Sequence, residues 1–147
     1  MGADPSGNRP EWNTRCDPEA FDTVMKCGVK MRVVGLDITN RCAINDERLE
    51  RIFALKGEGN ALLVRMLKRW ISDRPGKIPT MHDPLTAALM EKSFCTFEES
   101  GLETVIEGED RGKTFRREGN QMQVAVDVNS DEFLDWMIEC LDRPPVN

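Results

Sequence analysis

Met31-Arg32-Val33-Val34-Gly35-Leu36 is a mostly apolar run that gives way to the polar stretch Asp37-Ile38-Thr39-Asn40. A short apolar run of this kind, with turn signals on either side, predicts a strand covered on both faces, as in a parallel sheet. The polar stretch then forms a loop at the strand's carboxyl end, where α/β proteins place ligands. Upstream, Asp17-Pro18-Glu19 predicts a helix start: Asp as N-cap, Pro at the first helical position, and an acid in the first turn. Phe21, Val24 and Met25 give that helix its apolar stripe, and Gly28 its stop. Residues 1–16, with Gly2, Pro5, Gly7 and Pro10, are expected to be irregular. A segment of that kind is ordered only if it packs on something, and Glu11-Trp12-Asn13 does not have the composition of a tail.

Downstream, the spacing predicts a helix over about 46–55 and a stronger one over about 60–73. In the second, Leu62, Leu63, Met66, Leu67 and Trp70 share one face and the basic residues form a solvated one. Asp83-Pro84 repeats the helix-start signal, for a helix running to about Phe94. Leu102–Glu107 and Thr114–Arg117 are expected to pair around the turn Gly108–Gly112. Met122, Val124, Val126 and Val128 alternate as a half-buried strand. Ser130 or Asp131 caps a last helix, ended by Pro144-Pro145, and Asp127, Asp131, Glu132 and Asp135 form a solvated corner. The expected class is α/β and helix-rich, with one buried parallel-type strand and a small C-terminal β element. A doubly wound sheet needs several such strands, so the inventory reads as part of a larger α/β domain.

Composition excludes several functions. The chain has 147 residues, 39% hydrophobic and 31% charged, with net charge −6, as expected of one globular domain that buries a core. Scattered Lys and Arg on an acidic chain argue against a nucleic-acid polymer as partner. No apolar stretch approaches the ~20 residues that span a membrane, and nothing resembles a signal peptide. The five cysteines are odd in number and far apart, as expected of reduced thiols in a cytoplasmic protein. A cysteine nucleophile would need His82, the sole histidine, as its base.

His82-Asp83 is the constellation with most chemistry, and the residues leave two readings open. His82 has the intrinsic acidity for general acid or base work, and Asp83 is an oxygen donor for a hard cation. In the other reading Asp83 is an N-cap, like Asp17, and His82 a surface residue before a helix. Glu11 and Asn13, two apart in a loop, either bind a polyol or face water.

Four stretches in order resemble motifs of one family. Pro10-Glu11-Trp12-Asn13 with Asp17-Pro18-Glu19-Ala20, Val33-Val34-Gly35-Leu36-Asp37-Ile38-Thr39, Met81-His82-Asp83-Pro84-Leu85-Thr86-Ala87-Ala88 and Arg111-Gly112-Lys113-Thr114 resemble the nucleoside hydrolases. These are calcium-dependent N-ribohydrolases of the inosine-uridine-preferring type. The resemblance implies a Rossmann-like nucleoside hydrolase fold and hydrolysis of a nucleoside to ribose and free base through an oxocarbenium-like state. It makes Asp83 a calcium ligand, Glu11 and Asn13 ribose-binding residues, Asn8 a further ribose contact, and His82 the group that helps protonate the departing base. A tryptophan in the place of His82 marks the purine-specific subgroup, so histidine leans towards the broader class.

The family's aspartate cluster, D-x-D-x-x-x-D-D, supplies two calcium ligands and the general base, and it is not among these residues. The expectation is a partial nucleoside hydrolase domain over 1–147, the C-terminal half of the fold, inactive alone. It would be completed by an N-terminal half or covered by self-association into a homo-oligomer. The other expectation is a non-catalytic interaction module descended from the same fold.

Overall fold

The computed structural model describes residues 2–143, apart from the side chains of Asn120 and Gln121. Pro144-Pro145 therefore lies outside the described residues. Among them are α1 (Trp12–Cys16), α2 (Pro18–Lys26), β1 (Met31–Val33), α3 (Leu36–Thr39), α4 (Asp46–Phe53), α5 (Glu58–Asp73), α6 (His82–Ala88), β2 (Cys95–Thr104), β3 (Thr114–Val128) and α7 (Ser130–Asp142). The mixed sheet has the order β1-β3-β2, with β1 parallel to β3 and β2 antiparallel to it.

Several local signals act as expected. The Asp17 carboxylate accepts from the Ala20 N–H at 2.9 Å, Pro18 opens α2, and Gly28 takes φ +79° just beyond its end. Met31–Val33 pairs in parallel with Met122–Val124 as expected, but it lies at the sheet edge with Arg32 exposed, so it is not covered on both faces. The apolar run leaves the sheet earlier than predicted. Gly35 starts α3, so Asp37, Ile38 and Thr39 lie on a helical turn and not in a loop.

The C-terminal β element is larger than expected. The predicted strands at 114–117 and 122–128 are parts of one strand, β3, which sits centrally between β1 and β2. Between the two predicted parts the pairing jumps: Gly101 faces Arg117 and Ser100 faces Met122. A second irregularity carries the register from Asp127 to Ala125, skipping Val126. The predicted alternation therefore stops at Val124. Met122 and Val124 pack with Ala3, Val33 and Leu102 in one apolar cluster, whereas Ala125 and Val128 join Phe94, Phe133 and Leu134 in another. Apolar side chains thus meet both faces of the strand.

Three further boundaries are corrected. The helix expected from Asp83 to Phe94 is α6, ending at Ala88, and Cys95–Ser100 belongs to β2. It begins at His82, so Asp83 is not its N-cap; Met81 holds that position without a side-chain cap. At the last helix Asn129 is the cap, accepting from Glu132 N–H, one residue before the predicted Ser130. The acidic corner is ion-paired as well as solvated: Arg48 reaches Asp131 and Asp135, Arg51 reaches Asp135, and Arg41 reaches Asp127. The Arg48 and Arg51 links tie α4 to α7, and Arg41 ties the end of α3 to β3, though exposed pairs contribute only ~0–1 kcal/mol each.

Residues 12–16, expected to be irregular, form α1 behind the Glu11 cap, and the N-terminal segment is pinned by the Arg111–Thr114 motif. Thr114 Oγ1 accepts from the Asp4 N–H at 2.9 Å, and Thr14 Oγ1 lies 2.9 Å from the Gly112 carbonyl. Arg111 forks onto the Glu19 carboxylate, holding it below the usual carboxylate range. Gly112 has φ +89°, and a Cβ there would stand 2.9 Å from the Arg15 Cα, so the motif needs its glycine twice over.

Candidate functional site

His82 is placed by two backbone crossings. Ile44 N–H donates to the Pro79 carbonyl and Met81 N–H to the Cys42 carbonyl, both at 2.9 Å, so the segment before α6 lies beside the segment after α3. That pairing brings the imidazole Nδ1 of His82 to 2.8 Å from Thr39 Oγ1. Thr39, at the end of α3, is fully buried (0% exposed), whereas His82 is half-buried. The ring also lines a cleft of about 440 Å³ between α5 and the strand-like approach Ile78–Met81. Leu63, Met66, Trp70, Ile78 and Met81 form its apolar walls.

That cleft corrects the reading of α5. Its apolar stripe exists, but α5 has no buried residue; Met66 and Ile78 are each 62% exposed. Large apolar side chains left open around one polar group are the usual make-up of a binding cleft. Thr39 was legible only as a polar residue beyond a strand; its contact with a ring 43 positions away was not.

Glu11 is 3% exposed and caps α1: its Oε2 accepts from Asn13 N–H at 2.8 Å and Thr14 N–H at 3.4 Å. Asn13 and Asn8 are exposed, and Asn8 donates its N–H to Ser6 Oγ. The structure thus groups Glu11, Asn13 and Asn8 on the N-terminal segment and its short helix. His82 and Asp83 stand on α6, held through α3.

Asp37 is tied to the fold rather than to this cleft. One of its carboxylate oxygens is buried without a hydrogen-bond partner, and burial, with Asp4 nearby, pushes its pKa up. Gly35 is tightly placed there, since a Cβ would collide with Asp37 Oδ1 and with Pro5.

Asp83 is exposed in the first turn of α6. Among the described residues no three or more His, Cys, Asp or Glu side chains come together to hold a metal ion. A calcium ion takes about six to eight oxygens, so the donors that this chain brings together do not fit one. Thiol chemistry is equally poorly served. Burial pushes the Cys42 and Cys95 thiols up to about 11, and the five cysteines are free.

The sequence matches the family described as "Inosine-uridine preferring nucleoside hydrolase" over residues 1–135. The chain belongs to that family. It is 29% identical over 145 residues to a pyrimidine-specific ribonucleoside hydrolase, RihA, of Shewanella woodyi, covering 90% of this chain and 46% of that one. A probable ribonucleoside hydrolase of Dictyostelium discoideum is 30% identical over 151 residues, covering 90% and 44%. Among solved structures, an inosine-guanosine nucleoside hydrolase superposes with a TM-score of 0.83 at 14% identity, over 98% of this chain and 51% of that chain. The α/β fold is therefore that of nucleoside hydrolases, and the chain spans about half the length of the relatives it matches. The family's hydrolases are metal-dependent. Among the described residues no helix is long and apolar enough to cross a membrane.

Proposed function

We propose that this chain carries the leaving-group side of a nucleoside N-ribohydrolase site, which cleaves the N-glycosidic bond of a ribonucleoside to ribose and free base. The observation that carries this reading is His82. The only histidine of the chain lines an apolar cleft walled by Trp70 and Met66, with one ring nitrogen held by a buried hydroxyl. An apolar cleft suits a planar base, and a positioned imidazole suits donation to that base as negative charge develops on it. Glu11, Asn13 and Asn8 are assigned to the ribose hydroxyls. To serve, the Glu11 carboxylate has to share the oxygen that caps α1 or use the other.

Asp83 is assigned one place in a calcium site whose remaining ligands come from outside this chain. In this reading the chain alone is inactive, because the residues that would hold the ion and activate water are not brought together here. The partner is a complementing half of the fold or a second copy of the chain, in the cytoplasm. The relatives run from pyrimidine-specific to inosine-guanosine hydrolases, so no base preference carries over.

The test is ribose release from inosine and from uridine, with calcium, by the chain alone and mixed with a polypeptide supplying the remaining half of the family fold. Turnover is expected only in the mixture, falling about 10²–10⁴-fold in His82→Ala. Turnover by the chain alone would overturn the incompleteness; a mixture indifferent to His82→Ala would overturn the role of His82. The second reading, an interaction module without catalysis, is favoured by one observation: the exposed apolar residues of α5 and Ile78. It is sharpened by sizing the chain, with oligomers expected and a dilute monomer counting against it.

A further inference from the structure

The contact between Thr39 and His82 decides which ring nitrogen carries the proton. Thr39 is fully buried on the last turn of α3, and its β-branched side chain has little freedom to turn elsewhere. A buried hydroxyl needs an acceptor for its own hydrogen. The carbonyl one helical turn back, on Gly35, already takes the N–H groups of both Ile38 and Thr39. The imidazole Nδ1, 2.8 Å away, is the acceptor within reach.

We propose that Thr39 is the positioning residue of His82: its hydroxyl donates to Nδ1 and so keeps the neutral ring as the Nε2–H tautomer. A neutral imidazole has one N–H, and a nitrogen that accepts from a hydroxyl cannot carry it. A protonated imidazole carries a hydrogen on both nitrogens. Nε2 therefore carries a hydrogen in both charge states of the ring.

A carboxylate or a backbone carbonyl in the place of Thr39 would do the reverse. Such a partner only accepts, so it would hold the hydrogen on Nδ1 and leave Nε2 a lone pair, suited to a base. The hydroxyl makes His82 a donor instead. That consequence rests on the role proposed above for His82 beside a departing base; the tautomer itself does not.

His82 is the only histidine, so the ring nitrogens of the full chain labelled with 15N-histidine give one unambiguous pair of resonances. At a pH above the ring's titration, Nδ1 is expected at the position of an unprotonated nitrogen and Nε2 at that of a protonated one. In Thr39→Val both resonances are expected to move towards those of a free imidazole, and in Thr39→Ser to return to the wild-type positions. A wild-type spectrum of the Nδ1–H form, or of a free-imidazole mixture, would overturn the proposal, as would a Val variant identical to wild type. The wild-type and Ser spectra decide the matter even if the Val variant does not fold. Because the readout needs no turnover, a chain that never releases ribose leaves this assignment standing. A wrong tautomer, in turn, leaves the ribohydrolase reading to its own test.

Discussion

The N-terminal segment around Glu11 and the cleft around His82 carry similar polar side chains on short helices, and they are wired in opposite ways. Around Glu11 the polar groups are spent on the fold: the carboxylate caps α1, Thr14 reaches Gly112, Asp4 reaches Thr114, and Arg111 clasps Glu19. Around His82 a single buried hydroxyl holds one ring nitrogen, and the surrounding apolar side chains stay open to solvent. The Glu11 carboxylate thus already has a structural duty, whereas the His82 ring has one held nitrogen and open apolar surroundings. A motif match alone treats both sets as site residues.

Substitutions can break this contrast at either end. The largest effect is expected at Gly112, where Gly112→Ala combines a left-handed backbone with a collision against Arg15 Cα. A loss of about 2–4 kcal/mol in chemical denaturation is expected, with the N-terminal segment released to proteolysis. A variant as stable as wild type would mean that the clasp does not hold the segment.

A smaller, pH-dependent effect is expected at Asp37. Its folded pKa is raised by burial, so the native state disfavours the ionised form. The stability that goes with the protonated carboxyl is fully present below the ordinary carboxylate range and is lost as pH rises through the raised folded value. Asp37→Asn removes that loss. It is expected to melt higher than wild type at neutral pH, by no more than ~3 °C because the carboxyl is still partly solvated, with the gain gone in acid. A gain that grows in acid would reverse the assignment.

The smallest effect is expected at the cleft. Met66→Ser and Ile78→Ser remove exposed side chains and should change stability by no more than ~0.5 kcal/mol each. A loss of several kcal/mol would show that these walls are core in solution, covered by a partner or a second copy.

Legibility in the sequence followed the range of the interactions. The start and end of α2 are set by Asp17, Pro18 and Gly28, all within one turn of what they control, and they stood where expected. The apolar run at Met31–Val33 declared a parallel strand through its own composition. The strand Cys95–Ser100 was hidden, because its pattern gains meaning only beside Met122–Val128. The central place of β3 was hidden because it depends on pairing with both β1 and β2, and its continuity runs through a jump in pairing between Arg117 and Met122. In the candidate site, His82 and Glu11 were legible by type and motif. Thr39 and the capping duty of the Glu11 carboxylate were not, since both depend on partners fixed by tertiary crossings.

The clasp also sets an order of events for the growing chain. Asp4 meets Thr114 across 110 positions, Thr14 meets Gly112 across 98, and Glu19 meets Arg111 across 92. Closing loops of that length costs entropy before any contact repays it, and the receiving motif is part of the β2–β3 hairpin. Residues 4–19 are therefore among the last of these elements to find their place. They wait, unprotected, until the hairpin that receives them has been synthesised.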